Sequence, residues 1–298
     1  MDWWFRETTL KFFEKLKRLN LGGCSMKKNN VGAYAALSII GLFVFFPVFW
    51  ILSISLRPNG EVFGNPLKLW PKTLTFEAYA NVLGDPQMLS YFFNSYLNGM
   101  IVTLVAIVLG IMAGYALSRY GFRGKIFLNG AIIATQTIPS VTLIIPFFIL
   151  MVDYNLYDTR FGLILAYISF ALPYTIVMMV GYFNSISPEL DEAARIDGAS
   201  DWRTLWQIIV PIARPGIVSA VIYAFILSWN EFVFATTLIR DDALKTFPIG
   251  IALLKGETSF EWNMMMAMSL LGSIPVIIIY LIGQKQFISG LASGGVKG

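Results

Sequence analysis

Residues 187–202 have the sequence Ser-Pro-Glu-Leu-Asp-Glu-Ala-Ala-Arg-Ile-Asp-Gly-Ala-Ser-Asp-Trp and lie between two strongly apolar stretches. Ser187 and Pro188 are typical of the first positions of a helix, and the acidic residues that follow suit the positive end of a helix dipole. Gly198 predicts the end of that helix, because glycine readily adopts the left-handed conformation found at helix C-termini. The stretch therefore predicts a short helix followed by a turn.

A second helix is predicted to begin at Ser200 or Asp201 and to end at Pro211. It carries four apolar residues at the spacing of one helical face, namely Trp202, Leu205, Trp206 and Ile209. Two interpretations fit the pair of helices. It is an interfacial hairpin that only joins two membrane spans, or it is a surface that binds a partner.

The composition of the whole chain requires a membrane. Of its 298 residues 56% are hydrophobic and 13% are charged, and the mean hydropathy is +0.66, which excludes a water-soluble domain of this size. A helix that crosses the hydrocarbon core needs about 20 mostly apolar residues. Six stretches satisfy that length, at 31–56, 94–118, 126–152, 161–184, 216–239 and 264–284. The sequence thus predicts an all-α integral membrane protein with six transmembrane helices.

Lysine and arginine indicate the orientation of these spans. The segments 1–30, 119–125 and 185–215, together with the residues after 284, hold 15 of the 22 basic residues. All four lie on the same side of a six-span protein, and the positive-inside rule makes that side cytoplasmic. We therefore expect a multi-pass membrane protein with both termini in the cytoplasm. The net charge of +4 is explained by topology and indicates no nucleic-acid partner.

Three segments follow from this topology. Residues 1–30 mix aromatic and basic side chains, which favours an amphipathic cytoplasmic helix on the inner leaflet or, alternatively, a helix that binds a partner. Residues 31–286 form the six-helix domain, whose first span is too long for a cleaved signal sequence. Residues 287–298 are rich in glycine and serine and predict a flexible cytoplasmic tail.

Cysteine and histidine usage limits the chemistry of the chain. Cys24 is the only cysteine, so an intrachain disulfide and a cysteine metal cluster are excluded. Histidine, the commonest general base and metal ligand, is absent. Enzymatic chemistry would therefore need carboxylates or serine alone. We predict no catalytic residue, no metal site and no cofactor on this chain.

Polar residues within the predicted spans are candidates for a solute path, namely Asn94, Asn98, Gln136, Asn230 and Glu231. Glu231 would lie about 22 Å along a helix that begins at Gly216, where an ionisable group is costly unless it faces protein or water. Other roles explain the same residues equally well. The amides could serve packing alone, and Glu231 could form a hydrogen bond to a neighbouring span or reach the outer interface. Two prolines in the third span indicate either a kinked packing helix or exposed carbonyl groups that line a path.

The sequence of the hairpin resembles a motif of a known protein family. Glu192-Ala193-Ala194, Gly198-Ala199 and Ile208-Ile209-Val210-Pro211 are similar to the cytoplasmic "EAA" loop of permease subunits in binding-protein-dependent ABC importers. The resemblance implies the type I ABC importer permease fold, with a coupling loop over 185–215 that docks into a cleft of an ATPase. The residues implied in coupling are Glu192, Ala193, Ala194, Asp197, Gly198, Ala199 and Pro211. Val210 departs from the usual leucine at its position.

Other motifs resemble the carbohydrate-uptake subgroup, which includes the smaller permease of the maltose importer. They are Gly114-Tyr115-Ala116 with Arg119, the segment 155–159, Trp229-Asn230-Glu231-Phe232, and the ending Gly294 to Gly298. In that subgroup the tail contacts the ATPase dimer, and the last external loop, here 240–263, reaches into the solute-binding protein. The residues implied in that contact are Gly256, Glu257, Thr258 and Ser259, although the tip of this loop is short.

The resemblance implies a permease subunit in the inner membrane of a bacterium. It would form the membrane path for a sugar or oligosaccharide with a second permease, as a heterodimer. Two copies of a cytoplasmic ABC ATPase would bind ATP and Mg²⁺, since this chain has no Gly-x-x-x-x-Gly-Lys-Ser/Thr loop. A periplasmic or extracellular binding protein would deliver a maltodextrin, an acidic oligosaccharide such as alginate, or a polyol phosphate. The alternatives are a membrane-embedded enzyme, a self-sufficient secondary transporter and an assembly subunit.

Overall fold

The computed structural model describes residues 31–64, 68–256 and 260–295. Residues up to Phe49 form one unit and those from Trp50 onward form another. The described part of the first unit belongs to helix α1 (Val31–Ser55), an apolar helix with Pro47 inside it. The predicted amphipathic segment 1–30, including Cys24, lies outside the described residues.

The second unit consists of helices joined by short loops. In chain order they are α2 (Asn59–Gly64), α3 (Glu77–Gly84), α4 (Pro86–Arg119), α5 (Lys125–Thr137), α6 (Ile144–Asp153), α7 (Arg160–Asn184), α8 (Glu189–Ile196), α9 (Asp201–Ile212), α10 (Arg214–Trp229), α11 (Val233–Leu238), α12 (Phe247–Leu253) and α13 (Trp262–Gly295). Among the described residues, extended pairing is limited to one bridge between Lys255 and Phe260. The predicted all-α fold is confirmed.

Four helices are individually long and apolar enough to cross a membrane, and the number reaches six if each of two bent helix pairs counts as one span. The four lie at Tyr34–Ser55, Pro86–Arg119, Arg160–Asn184 and Trp262–Gln284. Helix α4 begins earlier than the predicted span 94–118. The reason is a helix cap, because Asp85 Oδ1 accepts the N–H of Gln87 at 2.8 Å and Pro86 occupies the first turn.

The third predicted span, 126–152, is broken rather than kinked. Helix α5 and the helical segment Ser140–Asp153 meet at an angle of 97°. Ile138 is extended, with φ −79° and ψ 121°, because Pro139 disfavours the helical conformation in the residue before it. The break therefore interrupts the helix in the middle of this apolar segment.

The fifth predicted span, 216–239, is also interrupted. Helix α10 ends at Trp229 and α11 begins only at Val233. At the other end of α10, a bend of 81° separates it from α9. Glu231 therefore lies in the break between two helices, and the prediction that placed it within one continuous helix is wrong.

Helices α4 and α7 pack closely because glycine faces the contact. A Cβ atom on Gly110 would lie 2.5 Å from Thr175 Cγ2, and one on Gly114 would lie 2.6 Å from Met179 Cβ. Small residues at such positions let two membrane helices approach and gain dispersion contacts. The helical hairpin over residues 187–212 attaches to this pair of helices.

We expect Gly114→Val to destabilise the protein, since overpacking a tight contact typically costs about 1–3 kcal/mol. Gly181→Val on α7 is the matched control, because a Cβ atom there meets nothing within 4 Å. Thermal unfolding in detergent, followed by loss of the monodisperse peak, measures the difference. Equal melting temperatures for the two variants would contradict the close contact.

The loops at the predicted external side are tied to one another. Asn59 Nδ2 donates to the carbonyl oxygen of Phe260 at 3.0 Å, and Ser95 Oγ accepts the N–H of Phe247 at 2.8 Å. Within the first loop the Glu61 carboxylate accepts the N–H of Lys72 and of the next residue. The bond from Lys72 is the main reason that the pKa of Glu61 lies below its usual value. These bonds give the loops a defined structure.

The C-terminal end differs from the predicted flexible tail. Helix α13 continues through Gly295, beyond position 287 at which the tail was expected to begin. Residues 296–298 lie outside the described part of the chain. The ATPase contact implied for the ending stays a prediction.

Candidate functional site

The predicted coupling hairpin has helix boundaries and caps that agree with its sequence. Ser187 Oγ accepts the N–H of Glu189 at 3.4 Å at the start of α8. Gly198 has φ +78°, the left-handed conformation that ends a helix. Ser200 Oγ then accepts the N–H of Arg203 at 3.3 Å and caps α9.

A buried ion pair fastens this hairpin to the membrane helices. Asp191 Oδ1 accepts the hydroxyl of Tyr115 at 2.6 Å, and Asp191 Oδ2 accepts Nε–H of Arg119 at 2.8 Å. Both side chains of the ion pair are only 7% exposed. The other nitrogens of Arg119 donate to the carbonyl oxygens of Phe183 and Ile186, each at 3.0 Å. One guanidinium thus joins the end of α4, the end of α7 and the start of α8.

Apolar packing supports the same attachment. Leu205 and Ile209 are buried against Phe183 of α7 and Ile111 of α4 in one cluster. Trp202 does not share that buried face, contrary to the predicted stripe, because it is 61% exposed. Residues 204–209 form wider π-helical turns, so the spacing of an ordinary α-helix does not describe this segment.

Several apolar side chains of the hairpin are exposed. Leu190, Ile196 and Trp202 are 39%, 86% and 61% exposed. Most of the predicted coupling residues are also accessible, namely Glu192, Ala193, Asp197, Gly198 and Pro211, with Ala199 half-buried. Ala194 is only 3% exposed and packs inward. The hairpin thus has buried side chains that hold it to the spans and exposed side chains that are available to a partner.

Sequence reasoning missed the ion pair. It treated Asp191 as one of several acidic residues that complement a helix dipole, and it noted Arg119 only as part of a family motif. The available signal was the position of Arg119 at the last residue of a long apolar helix, where a charged side chain is commonly engaged.

A cavity of about 360 Å³ lies where the break after α5 faces α7, α10 and α11. Its lining combines polar and aromatic side chains, namely Thr135, Gln136, Ser140, Tyr167, Ser169, Phe170, Tyr223, Leu227, Glu231 and Phe234, with Ile138 and Pro139 at the break. Two of the five predicted path residues, Gln136 and Glu231, therefore share one cavity.

Glu231 has a structural task within this cavity. Its Oε1 accepts the N–H of Phe234 at 2.9 Å and its Oε2 accepts the N–H of Ala235 at 3.0 Å. The carboxylate thus satisfies free N–H groups in the first turn of α11. It caps the next helix in the chain, whereas the sequence suggested a neighbouring span or the outer interface as alternatives.

The other three predicted path residues lie elsewhere. Asn94 is buried, and its Oδ1 accepts Nη2–H of Arg160 at 2.7 Å. Asn98 is also buried, with its Oδ1 3.3 Å from Nη1 of the same arginine. Asn230 lines a separate cavity of about 320 Å³ beside Trp229. The structure therefore does not bring these amides to the cavity of Glu231.

The predicted contact with a binding protein is only partly described. Gly256 is exposed next to the Lys255–Phe260 bridge. Glu257, Thr258 and Ser259 lie outside the described residues, so the role of this tip stays a prediction.

The chain is similar in sequence to proteins of a known family. A model of the family described as "binding-protein-dependent transport system inner membrane component" matches residues 106–287. The sulfoquinovosyl glycerol transport system permease protein of Agrobacterium fabrum is 36% identical over 265 residues, covering 89% of this chain and 93% of that protein. The trehalose transport system permease protein of Mycobacterium tuberculosis is 39% identical over 258 residues, covering 86% and 93%.

A solved structure is similar as well. A chain of a bacterial ABC transporter involved in the import of the acidic polysaccharide alginate is 29% identical, with a TM-score of 0.69 over 86% of this chain and 95% of that one. The likeness in fold confirms the predicted importer permease architecture. Both the hairpin and the cavity lie within the matched part of the chain.

Proposed function

The chain belongs to the family of inner membrane components of binding-protein-dependent transport systems, and from that membership we propose that it is a permease subunit that imports a sugar or oligosaccharide. Its multi-pass, all-α structure places it in the membrane, in a system that relies on a separate binding protein. A sugar is the preferred class because relatives at 36% and 39% identity are permeases for a sulfoquinovosyl glycerol and for trehalose.

The observation that carries the proposal is a hairpin that is anchored to the spans and also exposes apolar side chains. It is fixed to α4 and α7 through Asp191 and Arg119. Ile196, at the turn of the hairpin, is 86% exposed, which suits docking to a protein surface, since exposed apolar groups commonly mark interaction sites. A segment that only joined two spans would need neither feature.

The proposed partner on that face is a cytoplasmic ABC ATPase, present in two copies that bind ATP and Mg²⁺. A second permease subunit completes the path as a heterodimer, and the binding protein docks on the opposite side. In this arrangement both termini face the cytoplasm, in agreement with the distribution of lysine and arginine.

The ion pair suggests how the two sides are coupled. Closure of the ATPases on ATP displaces α8, and the Asp191–Arg119 contact passes this displacement to the end of α4. Because Arg119 also holds two carbonyl oxygens at the end of α7, both helices move with the hairpin. The cavity beside α7 and α10 then opens alternately to either side of the membrane.

Affinity purification of the tagged chain from its native membrane tests the proposal. We expect one ABC ATPase and one second multi-span protein to co-purify. Ile196→Glu, at the exposed apex of the hairpin, is expected to reduce the recovered ATPase at least tenfold, because it buries a charge in the contact. Leu74→Glu is the matched control, since Leu74 is 50% exposed but lies in the predicted external loop.

The two possible failures have different meanings. Recovery of the chain alone, under conditions that keep a known importer intact, would favour a self-sufficient transporter. Recovery of the ATPase with the Ile196→Glu variant at the level of the Leu74→Glu control would place the docking surface elsewhere on the chain.

A further inference from the structure

We propose that the cavity at the helix break is a solute subsite of this chain that accepts a neutral, polyhydroxylated sugar unit and rejects an anionic one. The inference rests on the proposed function and narrows its substrate class. Membership of the family does not decide this point, because the similar proteins include a trehalose permease and a transporter of the acidic polysaccharide alginate.

Size and position suit a sugar unit. The cavity volume of about 360 Å³ lies within the range of small-molecule sites, roughly 300–1,000 Å³. One wall is the Tyr223 ring, which stacks on Tyr174 with centroids 3.6 Å apart. Phe170, another lining residue, packs against Phe234 with ring centroids 4.9 Å apart. The aromatic walls are thus held in place before any solute arrives.

Two hydroxyl groups of the lining can only accept a hydrogen bond from a ligand. Thr135 Oγ1 donates its proton to the carbonyl oxygen of Ile132, and Ser169 Oγ donates to that of Ala166. Because each hydroxyl donates its proton to a carbonyl oxygen of its own helix, it offers a ligand only its lone pairs. A sugar hydroxyl can donate to such groups, whereas a carboxylate, sulfonate or phosphate group cannot.

The charge of the lining acts in the same direction. Each carboxylate oxygen of Glu231 accepts one backbone N–H, which leaves lone pairs for hydroxyl donors. No lysine or arginine is among the described residues that line the cavity. An anionic group would therefore meet the like charge of Glu231 with no cation in the lining to offset it. A neutral sugar ring can instead donate its hydroxyl protons to these acceptors and contact the aromatic side chains.

The test uses the rate of cysteine modification, because this rate depends on the charge of the cavity and can be measured before the solute is identified. Cys24 is first replaced by serine, and Gln136→Cys introduces one thiol at the cavity. Assembled importer in membranes then reacts with a cationic and an anionic methanethiosulfonate, and each rate is normalised to that for a free thiol. We expect the cationic reagent to be favoured about tenfold or more, and the ratio to fall towards one when Glu231→Gln is added.

Ser273→Cys, in the same Cys24→Ser background, is the matched control. Ser273 is exposed and lines the neighbouring cavity beside Asn230, which lacks Glu231. Its ratio is expected to stay near one with or without Glu231→Gln. A ratio at position 136 that is no higher than at position 273, or that does not respond to Glu231→Gln, would overturn the inference.

Protection from modification tests the ligand class with two defined probes. Maltotriose at millimolar concentration is expected to slow the reaction of the cysteine at position 136 with a neutral methanethiosulfonate several-fold, while trigalacturonate leaves the rate unchanged. Protection by trigalacturonate equal to or greater than that by maltotriose would overturn the subsite. The proposed function is judged separately by recovery of the ATPase, so the two can fail independently.

Discussion

Replacing Arg119 with methionine is expected to abolish the stimulation of ATP hydrolysis by solute-loaded binding protein and to lower the stability of the assembled importer. The change leaves the buried Asp191 carboxylate with Tyr115 as its remaining bonded partner and deprives two carbonyl oxygens at the end of α7 of their donor. Removal of one member of a buried ion pair typically costs about 3–5 kcal/mol.

Two readouts separate positioning from folding. Thermal unfolding in detergent reports stability, and the ratio of stimulated to basal ATPase activity reports coupling. Arg195→Met is the control, because Arg195 pairs with Asp201 at the surface, where the two side chains are 51% and 54% exposed, and such pairs contribute little. Arg119→Lys should recover part of the stability but not the full stimulation, because an ammonium cannot hold three groups in the planar geometry of a guanidinium.

The contrary outcome is well defined. If Arg119→Met keeps the wild-type ratio of stimulated to basal activity, the hairpin passes its movement to the spans by another contact. The buried apolar cluster around Leu205 and Ile209 would then be the next candidate for that connection.

The contrast between Gly198 and Arg119 shows which parts of the site could be predicted. Gly198, Ser187 and Ser200 act within a few residues of themselves, so their roles are encoded in local sequence. The Arg119–Asp191 pair joins residues 72 positions apart, and no periodic pattern reports such a contact. The family motif directed attention to Arg119 but not to what it binds.

The breaks in the third and fifth spans could not be predicted from the sequence either. Hydropathy averages over about a turn or more, so it cannot detect that α10 stops at Trp229 while apolar residues continue at Phe232 and Val233. Pro139 did signal a disturbance in the third span, but the angle of 97° depends on the packing of its neighbours. The cavity arises from both breaks, which is why the sequence suggested its polar residues individually and did not group them.

The second large effect is expected at Gly198, where valine should lower the amount of ATPase that co-purifies with the chain about tenfold. Gly198 has φ +78°, a conformation that costs a residue with a Cβ atom roughly 1–2 kcal/mol, and more for a β-branched side chain. Valine shifts the turn away from the bond between Ala199 N–H and Ala194 O at 2.9 Å. Since 1.4 kcal/mol is a factor of ten in an equilibrium, this strain alone explains the expected loss.

Gly198→Asn distinguishes backbone conformation from side-chain bulk, because asparagine is similar in size to valine but tolerates the left-handed conformation. A Cβ atom at this position meets nothing within 4 Å in the chain itself, so neither variant clashes internally. Near-normal recovery of ATPase with asparagine and loss with valine would show that the turn positions the docking face. Equal loss with both would indicate contact between Gly198 and the ATPase. No loss with either would remove the hairpin from the coupling mechanism.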